Sequence, residues 1–200
     1  MIREAYDAAA AFFVETVGQI GSTQWEQPGL GVWTVRDLVG HTSRALLTVE
    51  TYLAQPATQR QVVRPVDYFL RAQAGLADPA SVAARGRAAG AALGPDPAAT
   101  VQDIATRVLA QVKTASDEML VSTPVGGMRL IDYLPSRVLE LAVHTLDIAA
   151  ALPVAVTLPA TAAAVSLHLL ADLAVQPGKA ASLLLAATGR HALPAGFSVL

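Results

Sequence analysis

Residues 137–147 read Arg137-Val-Leu-Glu140-Leu-Ala-Val-His144-Thr-Leu-Asp147. Leu139, Leu141, Val143 and Leu146 make the stretch mostly apolar, which predicts a largely buried helix rather than a solvated one. On a helix Glu140 and His144, four apart, share a face one turn from each other and can converge on one point. A carboxylate and an imidazole in apolar surroundings need partners, because an unpaired buried charge is expensive. Two arrangements supply them. Glu140 can pair with Arg137 or Arg44 while His144 makes an ordinary core hydrogen bond. Alternatively both ligate a divalent metal, for which glutamate oxygen and histidine nitrogen are standard donors.

Working outward, a helix over 130–152 accounts for this stretch. It is preceded by Thr123-Pro-Val-Gly-Gly-Met128, which reads as a turn or short hairpin, and followed by an extended spacer from Pro153 to Pro159. Upstream, Gly94-Pro95-Asp96-Pro97 is a strong loop signal. After it, Val101, Ile104, Val108, Val112 and Met119 mark an amphipathic helix over 98–121. At the start of the chain, Ile2, Tyr6, Ala9, Phe13, Val17 and Ile20 recur three or four apart. They predict a helix over 2–20 with one buried stripe, ended by Gly21-Ser22. Thr34 suits an N-cap with Asp37 completing a capping box, opening a helix over 35–54 that stops before Pro56.

These four helices predict an all-α antiparallel four-helix bundle over 1–152. Segment 65–93 is a helical insert: Pro65 opens a helix carrying Tyr68, Phe69 and Ala72, and Asp78-Pro79 starts a weaker Ala/Arg/Gly helix ending at Leu93. Residues 153–200 form a short C-terminal helical appendage with helices over 160–175 and 179–188.

A third metal ligand would come from a helix facing Glu140 and His144. His41 is the candidate, since it lies among Leu38, Ala45 and Leu46 on the second helix, although a lone histidine there can equally be a satisfied core residue. Three protein ligands leave open positions on a metal, as catalytic sites do. Asp147, three residues past His144, can hydrogen-bond a ligand histidine from behind, or serve as a salt-bridge partner at a polar bundle end. His168 reads as a polar-face or packed residue and His191 as a loop residue.

Composition narrows the function. Two hundred residues with 53% hydrophobic and 15% charged side chains can build one good-sized core. The net charge of -2 lacks the clustered positive charge that non-specific nucleic-acid binding needs. The chain has no cysteine, so any thiol chemistry must import its sulfur. Mean hydropathy is +0.44, but the apolar runs are broken by His144 and Asp147 or by His168 and Asp172. None reaches the roughly 18–20 residues of a membrane span. Charges within the first seven residues do not read as a signal peptide, so a cytoplasmic protein is expected. Exposed Ala-rich helix faces suit a homodimer. Phosphate-loop, dinucleotide, zincin and nucleophile-elbow motifs are all missing.

Trp33-Thr-Val-Arg-Asp-Leu-Val-Gly-His41, followed about a hundred residues later by the 137–147 stretch, resembles the mycothiol-dependent maleylpyruvate isomerase family. That family falls within the DinB/YfiT-like metal-binding four-helix bundles. The resemblance rests on the paired motifs W-x(3)-D-x(3)-H and R-x(2)-E-L-x-x-H-x-x-D and spans roughly residues 2–152. It implies that His41, Glu140 and His144 hold a divalent metal, zinc first and nickel second. It also implies that the low-molecular-weight thiol mycothiol reaches an open metal position as a thiolate. In the isomerase that thiolate adds to a double bond of maleylpyruvate, allows rotation and leaves; other relatives use it for S-transfer. Arginine supplies 12 of the 14 positive charges, as in a GC-rich genome, and the resemblance points to an actinobacterium. Family isomerases also carry a C-terminal domain resembling sterol carrier proteins, for which the residues after the bundle are too few. This departure weighs against maleylpyruvate itself more than against metal or thiol. Arg190, in Thr-Gly-Arg190, can present a guanidinium to a substrate carboxylate, or serve as a surface arginine or helix C-terminal cap.

The expectation is therefore a metal-dependent, mycothiol-using isomerase or S-transferase acting on a small electrophile. A non-catalytic metal-binding or stress-response bundle is the rival, and a metal-free bundle the third reading. A roomy cleft beside a three-ligand site separates an enzyme from a closed structural clip.

Overall fold

The computed structural model describes residues 1–75, 78–175 and 178–200. Residues 76–77 of the expected insert and 176–177 of the expected appendage lie outside the described residues. Among the described residues the chain forms eight helices and one hairpin: α1 (Ile2–Val17), α2 (Val35–Leu53), α3 (Pro65–Gly75), α4 (Pro79–Ala92), α5 (Pro97–Thr114), β1 (Leu120–Thr123), β2 (Gly126–Arg129), α6 (Leu130–Ala151), α7 (Ala160–Val175) and α8 (Ala180–Ala187). The architecture is all-helical apart from that hairpin.

Helix starts follow their local chemistry. Thr34 accepts from the Asp37 N–H and the Asp37 carboxylate accepts from the Thr34 N–H, both at 3.2 Å, which sets the register of α2. Asp78 and Asp96 cap α4 and α5 in front of Pro79 and Pro97, where a missing N–H costs nothing. Two helix ends differ from expectation. α1 stops at Val17, where the chain tightens into turns, with Gln19 and Ile20 bonding back to Thr16 and Val17. α5 stops at Thr114, so Met119 leaves the helix. Arg3 donates to the Val112 and Ala115 carbonyls and to Asp117, satisfying the end of α5. Residues 120–123 pair instead with 126–129 and, through Ser122 and Leu120, with Gln55 and Ala57. Tertiary strand pairing overrides the helical period there.

α6 is the axis of the core. Leu130, Tyr133, Leu134, Val138, Leu139, Leu141 and Ile148 are almost completely buried, each such side chain contributing about 1.5–3 kcal/mol of apolar transfer. It packs on α1, α2, α3 and α7, while α5 closes the group by packing on both α1 and α2. α7 joins the core through Ala162, Val165, Leu169 and Leu173. α8 buries no residue and touches α7. The expectation that Val143 and Leu146 lie inside is corrected. They are 36% and 39% exposed, because the core takes up the other side of α6. No helix is long and apolar enough to cross a membrane among the described residues.

α4 packs tightly against α2. A Cβ on Gly40 would come within 2.5 Å of the Gly90 Cα, so both positions require glycine for the backbones to approach. The hairpin is tied down by Gln61 and Val62, whose N–H groups both donate to the Gly127 carbonyl at 2.7 and 3.0 Å. This fixes the connection between α2 and α3 and brings Pro124, at the hairpin turn, over a cleft between α2, α3, α4 and α6.

Candidate metal centre

Helix register places the three candidate ligands together. His41 projects from α2, and Glu140 and His144 from successive turns of α6. One potential ligand atom from each lies within 4.8 Å of the others. His144 Nε2 is 3.3 Å from Glu140 Oε2, and its Nδ1 is 3.0 Å from Asp147 Oδ2. The His41 and His144 rings meet edge to face at 4.8 Å between centroids. His168 is exposed and bonds the Ala164 carbonyl within its own helix. His191 is exposed in the turn after α8, as is Arg190, and neither is among the residues lining the cleft.

Trp33 holds His41 from the side. Its indole N–H donates to the Ala83 carbonyl at 3.1 Å, and its ring lies 4.4 Å from the imidazole between centroids. Gly86 of α4 sits so close that an added Cβ would be 2.6 Å from the indole. Gly86 of the weak α4 sequence thus seats the tryptophan that packs on the histidine.

The charges are strongly coupled. Burial alone would lower the His144 pKa, but its hydrogen bonds to Asp147 and Glu140 outweigh that and raise it to about 9. Burial lowers His41 to about 4, reinforced by the positive charge on His144. Burial would raise Glu140, yet the hydrogen bond from His144 and the nearby Arg137 charge hold it well below the ordinary carboxylate range. Neither Arg137 nor Arg44 forms an ion pair with Glu140 among the described residues. The arginine partner read as one alternative for Glu140 is therefore not used, and the carboxylate pairs with His144 instead.

The donor set suits a divalent ion. Two imidazoles and a carboxylate are standard zinc or nickel donors. Ligands about 2.0–2.2 Å from one ion lie roughly 3–4 Å apart, a range that the Glu140–His144 separation of 3.3 Å meets while the set as a whole lies within 4.8 Å. His41 Nδ1 is buried with no hydrogen-bond partner, whereas buried polar atoms are normally satisfied.

His41 and Glu140 open onto a cleft of about 490 Å³. Tyr52, Tyr68, Phe69 and Val82 form apolar walls, and Arg44, Arg85 and Arg137 also line it. Arg137 is 8% exposed and lies over the rings of Tyr133 and Tyr68 at 5.0 and 5.4 Å. Such contacts return about 1–2 kcal/mol each, less than the several kcal/mol that burying an unpaired charge costs. Tyr52, Tyr68 and Arg85 were not read from the sequence as cleft residues, because nothing local reveals that α3 and α4 lie across α6 and α2.

The family described as mycothiol maleylpyruvate isomerase N-terminal domain matches residues 6–149, more than half of the chain. No curated protein and no solved structure matches significantly.

Proposed function

Because the chain belongs to the mycothiol maleylpyruvate isomerase N-terminal domain family, we propose that it is a divalent-metal enzyme. It uses mycothiol for isomerisation or S-transfer on a small electrophile, within a DinB-like bundle. His41, Glu140 and His144 are the ligands. The observation that carries this reading is the triad's position. Of the three convergent donors, His41 and Glu140 border a cleft of about 490 Å³, whereas a structural clip would be closed by a fourth ligand. When bound, the metal supplies a Lewis acid that lowers the pKa of an incoming thiol and presents it as thiolate.

The protein's own side chains prepare for this. Asp147 fixes the His144 ring by bonding Nδ1 at 3.0 Å, leaving Nε2 toward Glu140. Trp33 fixes His41. The tyrosines and Phe69 exclude water from part of the cleft, and the absent cysteine leaves the imported thiol as the only sulfur nucleophile.

The test is turnover of the zinc-loaded protein with mycothiol and a panel of electrophiles that includes maleylpyruvate, followed by loss of free thiol or of substrate. Turnover that requires mycothiol and disappears in His144→Ala is expected. Turnover that persists without mycothiol, or is unchanged in His144→Ala, would contradict the proposal, as would none with any electrophile.

A further inference from the structure

The cleft beside the triad holds more positive charge than the triad consumes. Arg44, Arg85 and Arg137 line it, and Glu140 is the carboxylate among its lining residues. That carboxylate is already engaged by His144 at 3.3 Å. None of the three arginines forms an ion pair among the described residues.

Arg137 is the informative one. It is more than nine-tenths buried, and its Nε donates to Ser136 Oγ at 3.0 Å. Its two remaining guanidinium nitrogens have no hydrogen-bond partner among the described residues. They are also not among the sealed unpaired atoms, which are His41 Nδ1, Thr145 Oγ1 and Ser166 Oγ. Since Arg137 lines the cleft, the cleft is where these donors open. Tyr133 and Tyr68 hold the guanidinium plane from the side, which pre-organises a fork suited to bidentate recognition of a carboxylate.

We infer that Arg137, supported by Arg44, is an anion subsite one helical turn from Glu140, and that the electrophile is a carboxylate on a flat apolar body. The flat body is what Tyr52, Tyr68 and Phe69 would accept. This rests on the proposed function for the word electrophile, but the subsite itself does not need the metal.

The test is calorimetric titration of the full chain, zinc-loaded and chelator-treated, with benzoate and with its neutral isostere benzamide. Benzoate should bind both forms, and benzamide at least about tenfold more weakly, as loss of a charge-assisted bidentate pair implies. Arg137→Lys should weaken benzoate by about tenfold or more, since lysine lacks the planar fork, with zinc content unchanged. Arg44→Gln should weaken it by a smaller factor. If Arg137→Lys fails to fold, the wild-type probe pair and Arg44→Gln decide. Equal binding of the two probes, no binding of benzoate, or benzoate binding confined to zinc-loaded protein and indifferent to Arg137→Lys would overturn the inference. The last outcome would leave the metal enzyme standing. Arginine-dependent benzoate binding to a protein that takes up no zinc when zinc is supplied would sustain the subsite and remove the metal reading.

Discussion

The indole of Trp33 and the imidazole of His41 lie 4.4 Å apart between centroids, and the tryptophan, in the loop before α2, is held by α4. Gly86→Ala would drive a methyl group to 2.6 Å from the indole. The expected result is a loss of about 1–3 kcal/mol in stability from overpacking, together with weaker zinc binding as His41 loses its wall. Denaturant unfolding and a zinc competition titration measure both. A variant with wild-type midpoint and wild-type affinity would contradict this coupling.

Gly40→Ala tests the closeness of α2 and α4 separately. The new Cβ would meet backbone at Ala89 and Gly90, which cannot rotate away as a side chain can. Destabilisation at the upper end of about 1–3 kcal/mol, or beyond it, is expected. Thermal unfolding followed by circular dichroism reads it, and an unshifted transition would count against the packing described.

Asp147→Ala removes the group that bonds His144 Nδ1. Partners behind a ligand histidine are worth about 10–100-fold in metal affinity, so a loss of that size is expected with the fold intact. Affinity within twofold of wild type would assign Asp147 a purely surface role.

Metal binding should depend on pH with a definite sign. The His144 pKa is pushed up to about 9 and that of His41 down to about 4, so at neutral pH one proposed ligand carries a proton that must leave. Apparent zinc affinity should rise about tenfold per pH unit between those values and flatten above the upper one. Competition titrations across this range check the slope, and a flat profile between pH 6 and 8 would contradict the proton count.

Much of this was legible in the sequence for identifiable reasons. Thr34 with Asp37, and proline after Asp78, are local signals that placed two helix starts, and the loop signal Gly94-Pro95-Asp96-Pro97 put the start of α5 within one residue. The four-residue spacing of Glu140 and His144 needs only a helix to put both on one face, and α6 is that helix. What was not legible depends on residues distant in sequence. Residues 115–121 read as helix, but 115–119 turn and Leu120 and Val121 join the hairpin strand, which bonds to Gln55 and Ala57. Val143 and Leu146 read as interior although the core lies on the other side of α6. Arg190 suggested an anion contact by its local context and lies exposed after α8, whereas Arg137, hidden inside a ligand motif, lines the cleft. Its surroundings are supplied by Tyr68, far upstream, which no periodicity could have revealed.

The most direct test of the central claim is elemental analysis of the purified protein, wild type beside His41→Ala and His144→Ala. Near-stoichiometric zinc or nickel in the wild type, lost from both variants while their helical content is retained, is the predicted result. Wild-type protein that holds no metal and gains no more affinity for added zinc than either variant would contradict it.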